Sequence, residues 1–244
     1  VEAGKGIGIT VLGRMVAGEK GKSPVEFLPS MPGGEKAQWE GIALHGGKAA
    51  GHALSGVRIR GAREGIALTE TTAAIEGGTF AGCATGIRWN QKSSASVDNC
   101  AFEGNDLGAV LSLGGEAVFR DCRFANIQVH GIVVDKGAAL RVSGTSFSRG
   151  KTGIFSLTDA PCRVDRCDFT GLEKGIAARQ MGKDSTVARC LFENNETGIL
   201  AVQFSSLEVS DSFFRGNKAA MDVREFSTPT LHHNRFEGNE VSVN

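Results

Sequence analysis

The sequence predicts an all-β fold: a right-handed parallel β-helix, a solenoid whose rungs are about 22 residues long and hold three short strands each. Three observations predict it. Eight phenylalanines, Phe80, Phe102, Phe124, Phe147, Phe169, Phe192, Phe214 and Phe236, follow one another at intervals of 22 or 23 residues. An apolar residue stands five positions before each of them: Ile75, Val97, Phe119, Val142, Val164, Val187, Val209 and Leu231. A Gly-Ile or Gly-Ala pair stands six or seven positions after the first six, from Gly86-Ile87 to Gly198-Ile199. A fixed period with apolar positions in register means one supersecondary unit stacked on copies of itself. The 34 glycines suit a chain with several tight corners in every repeat.

One rung illustrates the elements in order. Ala95 and Val97 alternate with Ser96, the period of a strand with one buried face. Cys100 and Phe102 make a second alternating pair, and the segment from Gly108 a third. Asn105, Asn195, Asn217 and Asn239 share the corner three residues after Phe, where stacked side chains can hydrogen-bond along the axis and tolerate left-handed backbone. A leucine-rich repeat is the competing fold, because Leu140–Phe147 imitates its strand and turn. That fold needs a further leucine-rich arc, whereas the arc here is Gly131-Ile132-Val133-Val134, and β-branched residues favour strand.

Residues 1–56 read as less regular opening coils, with short strands at Gly6–Gly13, Val16–Glu19 and Pro24–Phe27. An interruption follows at 28–38, and Trp39–Leu44 restarts the ladder. Residues 57–244 are the regular rungs of the same continuous solenoid, with Ile59 first in the Phe column.

Net charge is zero, from 27 basic and 27 acidic residues, which gives no electrostatic ground for binding nucleic acid or an anionic membrane. No apolar run approaches the roughly 20 residues of a membrane helix, and no signal peptide opens the chain. Cys100, Cys122, Cys167 and Cys190 each lie two residues before a ladder Phe, in a column shared with Gly78, Thr145, Ser212 and Asn234. Parallel side chains on strands about 4.8 Å apart do not converge as a disulfide requires. Six buried free thiols are therefore expected, with Cys83 and Cys162 in other core columns.

The text Cys190-Leu-Phe192-Glu-Asn-Asn195-Glu-Thr-Gly198-Ile199 resembles the β-helix repeats of the pectin-lyase-like superfamily. The stretch from Gly13 to Ile42 resembles the opening coils of its bacterial exported members. The resemblance implies a periplasmic, cell-surface or secreted protein, and a chain that continues upstream of Val1 as part of a larger protein. It also implies one of two functions, since the superfamily holds polysaccharide lyases, hydrolases and epimerases as well as non-enzymatic surface modules.

Superfamily enzymes carry carboxylates, often with calcium, and a basic residue in a groove walled by long loops. Glu76 and Asp98 fall on adjacent rungs with Arg120 one rung further. Such a pair can share a proton or a calcium ion; alternatively Arg120 neutralises a solvated pair. A second cluster, Arg141, Arg163, Asp165, Arg166, Asp168 and Arg189, spans three rungs and can hold uronate carboxylates or pair internally. Trp39 is a candidate sugar-stacking residue or a core plug. The histidines show no metal-ligand spacing, and no metal or other cofactor is expected, calcium entering only with a lyase.

No rung from Phe80 to Phe236 has room for an inserted loop, which weighs against a walled active site. Outward positions after the Gly-Ile pairs include Val110, Val133, Phe155 and Leu200, a candidate partner surface. The expectation is a non-catalytic module that binds a polysaccharide or a protein partner along its sheet faces. The alternative is a lyase, glycoside hydrolase or epimerase acting on an acidic glycan. Unprotected strand edges at both ends also predict self-association or attachment to further domains.

Overall fold

The computed structural model describes residues 2–3, 6–29, 39–46, 51–135, 137–157 and 159–244. Of the expected interruption, residues 30–38 lie outside this set. Among the described residues there is no helix, and every strand pairing is parallel. Each coil runs through three faces. In one coil the first face is Ser94–Asp98, the second Ala101–Glu103 and the third Leu107–Leu111. The first face is a 10-stranded sheet. The other two merge into one 20-stranded sheet, because Ser146–Leu157 and Asp168–Arg179 turn the corner between them unbroken.

Pairing is in register, residue on equivalent residue, so each column of the sequence becomes a column in space. Phe80, Phe102 and Phe124 are direct partners, as are Val97 and Phe119. The Phe column starts a coil earlier than Ile59, because Phe27 is the register partner of Ile59. Rings from Phe80 to Phe214 are at most 1% exposed. Neighbours along the column stack at centroid distances between 4.4 Å (Phe102–Phe124) and 5.1 Å (Phe214–Phe236). Burying each such side chain contributes about 1.5–3 kcal/mol, so this column and the facing Val column form most of the core.

The Gly-Ile pairs have a steric cause. A Cβ on Gly108 would lie 2.4 Å from the carbonyl oxygen of Gly131 and 2.6 Å from Cδ1 of Phe124. Backbone and ring both come closer than any side chain allows, and the same approach recurs from Gly65 to Gly198. Ile132 and its equivalents, one residue on, point inward and are fully buried.

Two corners differ in detail from the sequence reading. The residue in left-handed conformation at the second corner lies two places after Phe, as at Gly104, Asn126 and Asn194, one before the Asn column. The Asn column itself satisfies buried backbone. Asn195 Oδ1 accepts from the Leu172 N–H at 2.9 Å, and its Nδ2 donates to the Phe169 carbonyl at 2.9 Å. Asn217 repeats this one coil later with Asn195 and Phe192. At the first corner, Gly77, Asn99, Asp121, Gly144, Arg166, Arg189, Asp211 and His233 all have φ between 49° and 62°. Arg166 and Arg189, read from the sequence as part of a cluster across three rungs, therefore sit at the corner.

All six cysteines are free and buried, at most 3% exposed. Their column is a ladder of acceptors. The Gly78 N–H donates to Cys100 Sγ at 3.2 Å, Cys122 N–H to Thr145 Oγ1 at 3.2 Å, and Cys190 N–H to Ser212 Oγ at 3.1 Å. Beyond Gly78 the column supplies small acceptors, Asn234 Oδ1 among them, which explains the mixture of Cys, Thr, Ser and Asn. Contact with Cys122, and then burial, hold the Cys100 thiol far above its ordinary range; Cys167 and burial do the same for Cys190. Burial pushes Cys162 up to about 11.

Gly108→Ala is therefore expected to destabilise the fold by about 1–3 kcal/mol in denaturant titration, through overpacking against backbone that cannot move aside. An unchanged midpoint would contradict the close approach. The thiols give a second expectation. Native protein at pH 8 should resist alkylation, and denatured protein should titrate six thiols with or without reductant. Because the folded state favours the neutral thiol, the Cys162 contribution to stability is full below the ordinary value of 9.0 and is lost as pH rises to about 11.

Candidate functional site

The outer side of the first face carries two outward columns. One runs Glu76, Asp98, Arg120, Ser143, Asp165, Ala188, each the register partner of the next. The other runs Ser96, Val118, Arg141, Arg163, Thr186. Side chains two residues apart on a strand share a face, so these columns form one surface.

Glu76 and Asp98 are brought side by side, as their spacing requires, but each holds a cation. Lys20, from the opening coils, reaches Glu76 Oε1 at 2.5 Å, and Arg120 reaches Asp98 Oδ1 at 2.9 Å. A hydrogen bond from Lys20 to Glu76, then their Coulomb attraction, raises the Lys20 pKa. Lys20 was not legible as a partner, because the opening coils are irregular in length.

Asp165 gathers two of the arginines of the second cluster. Arg166 Nε lies 3.1 Å from its Oδ2, and Arg189 Nη2 lies 2.6 Å from its Oδ1. Both arginines occupy left-handed corners, with φ of 49° and 53°. Asp168 lies on the second face, between Ser146 and Leu191, and is not part of this surface.

Arg141 and Arg163 behave differently. Eight ion pairs among the described residues follow one rule: a cation reaches back to a carboxylate on the preceding coil. They are Arg58–Glu26, Arg63–Glu40, Arg88–Glu64, Arg120–Asp98, Arg123–Glu103, Arg189–Asp165, Arg215–Glu193 and Lys218–Glu196. Arg163 finds Arg141 in that place, and Arg141 finds Val118. Neither guanidinium has a carboxylate partner among the described residues, and both are exposed. They line a shallow cleft of about 340 Å³ with Glu116, Val118 and Pro161. The arrangement offers two adjacent planar, five-donor cations to an anion.

Trp39 is 1% exposed, and its indole N–H donates to the Arg60 carbonyl at 2.8 Å. It packs as a core plug and has no face to offer a sugar. Val110 is buried, and Val133, Phe155 and Leu200 are half-buried. They do point outward, between inward residues such as Ala109 and Leu111, but their neighbours cover them. The His130 ring stacks on Phe155 at 4.6 Å, and the Arg179 guanidinium lies 5.5 Å from its centroid. Desolvation, then Lys174 and Lys151, lowers the His130 pKa. No group of three or more metal-ligating side chains occurs among the described residues, and no helix there is long and apolar enough to cross a membrane.

The exposed aromatic residues are elsewhere. Phe204 and Phe226 are 70% and 83% exposed, and sequence reasoning missed them. Their separation of 22 residues, outside the ladder phase, was the available signal.

No curated protein matches the sequence. Among solved structures, an alginate lyase from Paenibacillus sp. str. FPU-7 superposes with a TM-score of 0.54 at 11% identity, over 100% of this chain and 91% of that one. The catalytic domain of a GH87 alpha-1,3-glucanase in complex with tetrasaccharides superposes with a TM-score of 0.59 at 10% identity, over 98% of this chain and 61% of that one. At such identities the likeness is one of fold, the parallel β-helix of pectin-lyase-like proteins. The family described as right handed beta helix region matches residues 35–169 and 108–244, and this chain belongs to it.

Proposed function

We propose that this protein is a non-catalytic β-helix module of a bacterial exported or envelope protein, and that it binds an acidic polysaccharide along its first face. The observation that carries the reading is the Arg141–Arg163 pair. Like charges directly opposite on paired strands destabilise a sheet. Two cations roughly 4.8 Å apart repel by about 1 kcal/mol even at the dielectric constant of water. Eight cations elsewhere in the solenoid have a carboxylate on the preceding coil to relieve such charge, and these two do not. An anion supplied from outside, such as the carboxylates of a uronate polymer, completes the pattern with charge-assisted bidentate hydrogen bonds. A flat sheet with a shallow cleft suits a long polymer better than a small molecule, which needs an enclosing pocket.

The alternative, a lyase, hydrolase or epimerase acting on an acidic glycan, draws support from likeness of fold alone. Glu76 and Asp98, its best candidates, are already engaged by Lys20 and Arg120.

Affinity electrophoresis in gels containing alginate or polygalacturonate tests the reading. Wild-type protein should be retarded. Replacing Arg141 and Arg163 by Ala should weaken retardation about tenfold or more, with no loss of thermal stability and no unsaturated product absorbing in the ultraviolet. Equal retardation of the variant, or none of the wild type by either polymer, would overturn it.

A further inference from the structure

Phe204 and Phe226 stand at the corner that leads from the third face into the first, one coil apart. Each is preceded by another left-handed residue: φ is 56° at Gln203 and 64° at Phe204, then 54° at Glu225 and 59° at Phe226. The same hydrogen bond, from the N–H of this residue to the next coil, is made at Lys92, whose counterpart one coil on is Gly114. A long polar side chain and a glycine therefore serve there equally well. Bulky residues in this conformation are strained, and large aromatic rings in water gain nothing from exposure. The corner itself does not call for Phe at either place.

The two rings stack on each other with centroids 5.6 Å apart and planes 14° from parallel. That separation exceeds the 4.4 Å of Phe102 and Phe124 in the core. An offset pair of this kind overlaps like roof tiles, so each ring leaves part of a face open to solvent. Each corner runs directly into a first-face strand, Glu208–Ser210 after Phe204 and Thr230–His232 after Phe226. These strands lie two and three coils beyond the strand of Arg163. The aromatic pair thus sits about 10–15 Å along the axis from the unpaired arginines, at the border of the same face.

We propose that Phe204 and Phe226 form a stacking platform for the apolar C–H faces of sugar rings, a second subsite for the polysaccharide that Arg141 and Arg163 hold. The identity of the ligand rests on the acidic-polysaccharide reading above. A pyranose ring exposes clustered C–H groups on its faces and hydroxyls around its rim. Apolar rings bordered by Gln203 and Glu225 match both, burying the face while the rim keeps polar neighbours. From the coil of Arg141 to that of Phe226 is roughly 19 Å, the reach of about four or five linked pyranoses. A chain lying along the axis can therefore engage the arginines at one end and the rings at the other, and a disaccharide cannot.

The test compares Phe204→Asn/Phe226→Asn with Arg141→Ala/Arg163→Ala, each titrated with an alginate disaccharide and an alginate octasaccharide, beside sedimentation of the same proteins. Asn is at ease in the left-handed conformation, so the aromatic variant should melt no lower than wild type. Its affinity for the octasaccharide should fall about tenfold while that for the disaccharide stays unchanged. The arginine variant should lose both ligands. An aromatic variant that binds the octasaccharide like wild type overturns the platform and leaves the arginine reading standing. An arginine variant that keeps both ligands while the aromatic variant loses the octasaccharide overturns the arginine site and leaves the platform. Wild type that sediments as a dimer, with the aromatic variant a monomer of unchanged octasaccharide affinity, assigns the rings to contact between two copies and also overturns the proposal.

Discussion

Everything in this structure follows from parallel strand pairing in register at one spacing. Each residue lies directly over its counterpart in the coil before, so every column must be compatible with itself. The glycine column is the limiting case. At Gly108 the next coil's carbonyl and the Phe124 ring leave no room for a methyl group, and that approach keeps the coils at the separation that strand hydrogen bonds set. Other columns solve self-compatibility by different means. Aromatic rings stack, Asn side chains cap the backbone of the coil before, and thiols and hydroxyls accept from the neighbouring amide. Each device satisfies what burial would otherwise leave unpaired.

Charge is the property that a column cannot repeat without cost. On this surface Arg120 meets Asp98 and Arg189 meets Asp165, each reaching a carboxylate on the preceding coil. Exposed pairs of this kind contribute about 0–1 kcal/mol each, so their importance here is mainly in marking a pattern. Arg141 and Arg163 have Val118 and Arg141 in the carboxylate's place instead, and the functional reading rests on that difference. The aromatic pair at Phe204 and Phe226 breaks a second pattern, in which left-handed corner residues, Leu113 apart, are Gly, Asn or other polar residues. Both departures lie on or beside the first face, two to four coils apart.

What the sequence made legible was whatever the period exposes. The Phe, Val, Gly-Ile and Cys columns, the number of strands per rung and the free thiols could all be read from spacing, because burial imposes the same residue type at the same phase. Corner geometry could not. Arg166 and Arg189 look like outward strand residues in the sequence, and only backbone conformation identifies them as corner residues in places otherwise taken by Gly, Asn, Asp or His. Lys20 reaches Glu76 across an opening coil whose irregular length hides the register. Trp39 resembled a stacking residue by type, yet its indole N–H is satisfied by the Arg60 carbonyl in the core. Phe204 and Phe226 keep the period but not the ladder phase, so attention to the ladder passed over them.

The central claim is that Arg141 is kept for a ligand at the expense of the fold. Arg141→Glu tests it most directly, because it places a carboxylate on the coil preceding Arg163, the arrangement seen in the other inter-coil pairs. The account requires opposite movements in one variant: folding stability rising by about 0.2–1 kcal/mol in denaturant titration, and affinity for a uronate polymer falling. A variant that is less stable than wild type, or that keeps its affinity for the polymer, would contradict it.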